Sequence, residues 1–258
     1  MFRDRVEAGD VLAGRLGRYA GRPDVLVLAL PRGGVPVAAR VAEALGAPLD
    51  VFVVRKLGVP GHEELAMGAI AAGGVRVVNE QVVARLRLGG AELDRVAEAE
   101  GRELDRRERS YRQGRAPPDL AGRVVILVDD GLATGSTMRA AVAAARRLGP
   151  AKVVVAVPTA PARTCQHLAE EADEVVCVIT PRPFRAVGNS YRSFPQTSDE
   201  EVRALLRSAP TTGTRDRTPA APDQAGVHGP AAPEQFGGAA GSDQAGGGDG
   251  PPGRPGWS

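Results

Sequence analysis

The chain has 258 residues, with 33 Lys and Arg against 31 Asp and Glu and a formal net charge of +2. The charges are interspersed, so nothing calls for a nucleic-acid partner. The charged N-terminus lacks an apolar signal core and no apolar run approaches the roughly 20 residues that span a bilayer, so a cytoplasmic location and no membrane contact are expected.

Asp4 to Tyr19 places Val6, Leu12 and Leu16 among charged residues at helical spacing and predicts an amphipathic helix, broken near Gly21-Arg22-Pro23. Val25 to Leu30 is an apolar strand. Leu30-Pro31-Arg32-Gly33-Gly34-Val35-Pro36 follows, and then a helix from Val37 to Leu45. Two glycines at a strand–helix turn serve either an ordinary tight corner or a loop whose backbone approaches a ligand closely. Leu49 to Val54 is a third apolar run, closed by Arg55-Lys56 at its C-terminal end. Ligands of open α/β sheets collect at that end of strands. Leu57 to Leu65 has Gly, Pro and charge without periodicity and reads as a mobile loop. Ala66 to Ala71 and Val75 to Val78, joined by Ala72-Gly73-Gly74, suggest a hairpin. Gln81 to Arg112 is helical in pattern and heavily charged, and its interleaved acids and bases mark a solvated face.

Val124 to Thr137 (V-V-I-L-V-D-D-G-L-A-T-G-S-T) is the most informative stretch. Five apolar, mostly β-branched residues make a buried strand. Asp129 and Asp130 stand at its end, a small-residue turn follows, and Met138 to Leu148 reads as a helix. Free N–H groups and the positive end of a helix bind anions there, while the two acids can hold sugar hydroxyls or a divalent metal. Beyond it, Val153 to Val157 is a strand ended by Pro158, Pro161 to Glu171 a helix, and Val175 to Ile179 a last strand. Cys165 and Cys177 lack metal-ligand spacing and read as small buried or half-buried thiols in a reducing compartment. Thr180 to Ser198 is irregular and holds Phe184, Tyr191 and Phe194. Asp199 to Leu206 is a short helix capped by Ser198. From about residue 209 to 258, Gly, Pro, Ala, Gln and Asp dominate; such a segment buries too little apolar surface to order itself and reads as a disordered tail.

Alternating apolar strands and helices from Val25 to Ile179 predict an α/β fold, an open and mainly parallel twisted sheet flanked by helices. The folded part is 1–208, with a helical insertion at about 81–116 and a small hood at about 180–198.

The strand, the acid pair and Thr134-Gly135-Ser136-Thr137 resemble the phosphoribosyl diphosphate (PRPP) motif of the type I phosphoribosyltransferases. The P-R-G-G loop resembles that family's pyrophosphate loop, which often contains a non-proline cis peptide; by resemblance it would lie within Pro31 to Gly33. The resemblance implies transfer of the phosphoribosyl group of PRPP, with Mg²⁺, to a nucleobase or other small acceptor, with release of pyrophosphate. Asp129 and Asp130 would hold the ribose hydroxyls, directly or through Mg²⁺. Ala133, Thr134, Gly135, Ser136 and Thr137 would hold the 5′-phosphate. Arg32, Gly33, Gly34, Arg55 and Lys56 would stabilise the pyrophosphate. Leu57 to Leu65 would be the flexible active-site loop, and Phe184 and Tyr191 would cover the acceptor from the hood. A bacterial subgroup with a similar ending carries an aromatic and an acid where this chain has Ser190 and Ser193. That departure keeps open a homologue that binds PRPP or a nucleotide and regulates without catalysing. An enzyme using the same pocket for another phosphate ester is a third reading. Family members often dimerise, and the charged helix from Gln81 to Arg112 is a surface on which a homodimer could form.

Overall fold

The structure, a computed structural model, describes residues 1–209. The tail expected from residue 209 onward therefore lies, Ala209 aside, outside the described residues. In chain order the elements are α1 (Arg5–Arg15), β1 (Val25–Ala29), α2 (Gly34–Leu45), β2 (Leu49–Val51), β3 (Val54–Val59), β4 (His62–Ala71), β5 (Val75–Val78), α3 (Glu80–Leu86), α4 (Gly90–Arg112), β6 (Val124–Val128), α5 (Ser136–Arg146), β7 (Lys152–Thr159), α6 (Ala162–Ala169), β8 (Glu174–Ile179) and α7 (Asp199–Ser208).

Five strands form one all-parallel sheet in the order β2-β1-β6-β7-β8. Its strands alternate between two cores because successive side chains leave a strand on opposite faces. Val25, Val27 and Ala29 of β1 pack with α1, α2 and α7, whereas Leu26 and Leu28 pack with α5. The parallel sheet flanked by helices is the expected fold. Its strand order decides where a ligand can sit. From β1 the chain moves outward to β2 through α2 on one face. From β6 it moves outward to β7 through α5 on the other face. The loops after β1 and β6 therefore part at neighbouring strands and open a crevice at the carboxyl edge, the topological switch point where α/β sheets bind ligands.

Several boundaries differ from the sequence reading. Helix α2 begins at Gly34 rather than Val37, because Pro36 falls in the first turn, where its missing N–H costs nothing. Residues 57–65 are not an irregular loop. They belong to an antiparallel hairpin of β3 and β4, turning at Pro60-Gly61, with Gly61 at φ 77°. Leu57 and Val59 are buried on the hairpin's inner face, an alternation masked by the intervening Gly58. Strands β4 and β5 pair as expected. Strand β7 runs through Pro158 to Thr159. Strand β6 ends at Val128, opposite Ala156, so Pro158 has a ladder neighbour on one side only. The charged insertion is two helices; α4 buries Leu93, Leu104 and Tyr111 and pairs its outer charges along the helix, as in Arg102–Glu98 and Arg106–Glu103. Cys165 of α6 and Cys177 of β8 are not separate thiols but are joined as a disulfide, because α6 lies against β8. No helix among the described residues is long and apolar enough to cross a membrane.

Candidate functional site

The crevice is built by two loops that touch. Leu30 N–H donates to the Val128 carbonyl at 2.9 Å, which binds the end of β1 to the end of β6. The peptide between Pro31 and Arg32 is cis, within the span the sequence pointed to. The chain then passes so close to β6 that side chains are excluded. A Cβ on Gly33 would lie 2.0 Å from Asp130 Oδ2, and one on Gly34 would lie 2.7 Å from the Val128 carbonyl oxygen. Glycine at 33 is thus required by the carboxylate itself, since its backbone is ordinary right-handed helix. Gly33→Ala should destabilise the fold by about 1–3 kcal/mol, the usual cost of overpacking. Urea denaturation measures it, and an unchanged midpoint would show that Asp130 is free to swing away.

Asp129 and Asp130 stand half-buried at the crevice floor. Asp129 Oδ1 accepts from the Asp130 N–H at 2.8 Å. Burial, and then the charge of Asp130, push the Asp129 carboxyl well above the usual carboxylate range. Burial also raises Asp130, against the pull of Arg5. Arg5 reaches this site from α1, and the sequence reading did not single it out. Its Nε and Nη2 both reach Asp130 Oδ2 at 2.8 Å. Both contacts fall on one oxygen, so Arg5 makes no use of Oδ1. A signal for it did exist: Arg5, Ala8, Gly9 and Leu12 form the buried stripe of α1, whereas Val6 is 45% exposed. An arginine on an apolar stripe has to find an anion.

After the acids, the chain passes through Leu132 to an exposed turn at Ala133 and Thr134 and enters α5 at Ser136. Gly135 caps the helix at φ 76° with no side-chain cap of its own, and the Ser136 N–H donates to Thr134 Oγ1 at 3.4 Å; a helix start of this kind suits an anion. Thr134 Oγ1 and Ser136 Oγ lie 3.2 Å apart, and Thr137 is exposed beside them. The loop is braced from α6, where Thr164 Oγ1 donates to the Ala133 carbonyl at 2.9 Å. Residues 133–137 thus form one open turn at the start of α5.

A cavity of about 420 Å³ opens over Asp130, lined among others by Arg5, Arg32, Gly33, Phe194, Gln196 and Thr197. Arg32 Nη1 also lies 3.7 Å from Asp199 at the start of α7. Arg55 and Lys56 do not close a parallel strand as expected. Strand β2 stops at Val51, and both residues lie inside β3, where Arg55 Nε donates to Glu100 of α4 at 2.6 Å. The aromatic hood is also rearranged. Phe184 lines a separate cavity of about 220 Å³ with Met1 and Pro183. Tyr191 is buried with its ring against Phe2 and Phe194, and its hydroxyl donates to the Asp130 carbonyl at 2.5 Å. Neither ring covers the cavity; Phe194 does, because the 193–197 segment folds back over Arg5. Ser190 is buried, with its hydroxyl 2.8 Å from that of Thr159, and Ser193 donates its N–H to the Arg3 carbonyl at 2.9 Å. Ser190 packs within the hood, whereas the exposed Ser193 joins the seam with the N-terminus through its backbone.

A parallel sheet with an acid pair, a glycine loop and a small-residue turn meeting at its switch point defines the class of α/β protein. The chain belongs to the phosphoribosyl transferase domain family, whose model matches residues 5–190. A Mycobacterium tuberculosis protein provisionally named a phosphoribosyl transferase is 53% identical over 209 residues, which is 81% of this chain and 47% of that protein. The chain therefore spans about half the length of the curated relatives it matches. The crystal structure of TT1426 from Thermus thermophilus is similar at 43% identity and a TM-score of 0.73, covering 80% of this chain and 97% of that one.

Proposed function

We propose that this chain transfers the phosphoribosyl group of PRPP to a small acceptor and releases pyrophosphate. One observation carries the reading: the glycine loop after β1 lies directly against Asp130 after β6, with the open turn of residues 133–137 farther along the same loop. Two anion-binding backbones flanking an acid pair suit a ligand with a phosphate at one end, a pyrophosphate at the other and sugar hydroxyls between.

In this reading Ala133, Thr134, Gly135, Ser136 and Thr137 bind the 5′-phosphate, and Asp129 and Asp130 accept from the ribose hydroxyls. The acceptor's lone pair forms a bond to C1 while the C1–O bond to pyrophosphate breaks, and that bonding pair leaves on the pyrophosphate. Positive charge builds on the ring, which the acid pair favours, and negative charge builds on the leaving group. Arg32 and the Gly33 N–H stabilise the latter, while Gly34, whose N–H donates to the Leu30 carbonyl at 3.1 Å, keeps this loop close against β6. Arg55 and Lys56 would join them from β3; the segment that leads to them is tied to the end of β1, where Phe52 donates its N–H to the Ala29 carbonyl at 2.9 Å.

No group of three or more His, Cys, Asp or Glu that could hold a metal occurs among the described residues. The donor set suits Mg²⁺ that arrives with its phosphates, since Mg²⁺ is usually held by one or two carboxylates plus substrate oxygens. Asp129 and Asp130 would be those carboxylates. When bound, Mg²⁺ would neutralise charge on the pyrophosphate.

The test is calorimetric titration of PRPP with and without Mg²⁺, followed by a screen of nucleobases and small amines for pyrophosphate release. Mg²⁺-dependent binding with release by one acceptor is the expected result; no PRPP binding would end the reading. A second reading is a regulator that binds PRPP without transferring it. It is favoured by the hood, where the rings of Tyr191 and Phe194 stack on each other at 4.8 Å and Arg5 covers Phe194 at 3.8 Å, so those faces are already used. Binding without release by any acceptor would select it.

A further inference from the structure

The N-terminal segment is sewn into the site along two lines. The first is backbone. Phe2 N–H donates to the Ser190 carbonyl at 2.8 Å, and the N–H groups of Arg192 and Ser193 donate to the carbonyls of Phe2 and Arg3 at 2.9 Å each. The second is the Arg5 side chain, 10% exposed, which spends its whole guanidinium on site residues. Nε and Nη2 hold Asp130 at 2.8 Å, Nη1 donates to the Pro195 carbonyl at 2.6 Å, and its plane lies 3.8 Å from the centre of the Phe194 ring. We infer that Arg5 is a positioning residue that ties the acid pair of the donor site to the hood over the acceptor cavity, so that both halves are set in place together by the first helix.

The inference rests on the phosphoribosyl-transfer reading for its kinetic consequence but not for its structural one. Docking α1 would not need an arginine. The rest of its stripe is Ala8, Gly9 and Leu12, and an apolar residue at position 5 would continue it without the desolvation that a buried charge costs. Charge neutralisation of Asp130 alone does not explain the residue either. A single donor would serve for that, whereas the arginine fork divides itself between Asp130 and the carbonyl of Pro195. Tyr191 makes a parallel link, from its hydroxyl to the Asp130 backbone carbonyl, so hood and acid pair are joined through both the main chain and the side chain of Asp130.

Two variants separate this role from general support. Arg5→Met keeps the apolar stem and removes every donor; Arg5→Lys keeps the charge but gathers its donors on one nitrogen, which reaches Asp130 or Pro195 but not both. Hydrogen exchange on the ligand-free chain is read first. In Arg5→Met, exchange across residues 187–198 should rise at least tenfold while the strands β1 and β6 stay protected. Kinetics with PRPP and the best acceptor are read second. Turnover should fall about 10²-fold, the scale of a misplaced reacting group, and the acceptor KM should rise. The PRPP Kd should change less than threefold, since both phosphate-binding loops are intact. Arg5→Lys should recover part of the turnover and leave the hood exchange high. Unchanged exchange in the hood of Arg5→Met would overturn the inference. So would a uniform rise that includes β1 and β6 with a lower melting temperature, because that marks a structural support only. A wild-type chain that fails to bind PRPP would instead overturn the reaction, and the exchange arm would still decide whether Arg5 holds the hood.

Discussion

Asparagine in place of Asp130 should lower turnover by roughly 10²–10³-fold, the size of a single preorganised electrostatic interaction with a transition state. The substitution is nearly isosteric, so the close approach of Gly33 is preserved and the effect is one of charge. Two consequences follow from the neighbours. Arg5 loses the anion that holds its Nε and Nη2, so the guanidinium is left with the Pro195 carbonyl and the Phe194 ring. Asp129 loses the repulsion that helps raise its carboxyl, so it ionises more readily. The second change cannot replace the first, because Asp129 lies deeper and its Oδ1 is already engaged by the Asp130 N–H. Pyrophosphate release with the best acceptor is the measurement, with PRPP affinity by calorimetry beside it. Unaltered turnover and affinity in Asp130→Asn, and in the double variant with Asp129→Asn, would remove the acid pair from the site.

The largest loss of stability should come from Arg112→Ala, about 3–5 kcal/mol, the cost of stranding a buried charge. Arg112 is the last residue of α4 and is 4% exposed. Its Nη1 reaches Asp50 Oδ2 of β2 at 2.9 Å and its Nη2 reaches the Val51 carbonyl at 2.9 Å, which locks the charged insertion onto the edge of the parallel sheet. Burial already raises the Asp50 carboxyl, and Arg112 is the first force pulling it back. Without the arginine the folded-state value climbs further. A folded value above the unfolded one means that the native state binds more protons, so stability falls as pH rises from about 4 through that window. The deficit of Arg112→Ala should therefore be small near pH 4 and reach its full size once Asp50 ionises. Denaturant melts across that range test it, with Arg112→Met plus Asp50→Leu as the control, which should cost less than the single change. A deficit that does not vary with pH would show that Asp50 is not the stranded group.

The two loops proposed to hold the donor were legible as local structure because their parts are local. A β-branched run, two acids, small residues and a helix start within fourteen positions meet without help from distant chain, and the same holds for Pro31 to Gly34. Strand alternation and helix spacing along the chain likewise carried the parallel sheet, since buried strands of that kind are apolar throughout. The hairpin at 57–65 was misread where Gly58 and Pro60 interrupted a short alternation, and the burial of Leu57 and Val59 is settled only by what lies beneath them.

The surroundings of the cavity were not readable, because their contacts join residues far apart in sequence. Arg5 and Asp130 are 125 positions apart, and Arg5 and Pro195 are 190 apart. Which aromatic faces the cavity depends on how the N-terminus pairs with residues 190–193; it turns Tyr191 inward and leaves Phe194 above Arg5. Arg55 fell to Glu100, and the two cysteines to each other, for the same reason: pairing of side chains follows from packing, which local pattern does not contain. By itself, then, the sequence determined the sheet and the two loops proposed to bind anions, through short-range spacing and backbone chemistry. Only the tertiary structure decided that these loops meet across Gly33 and Asp130 and that Arg5 of the first helix reaches both Asp130 and Pro195, because both depend on strand order and on contacts between distant segments.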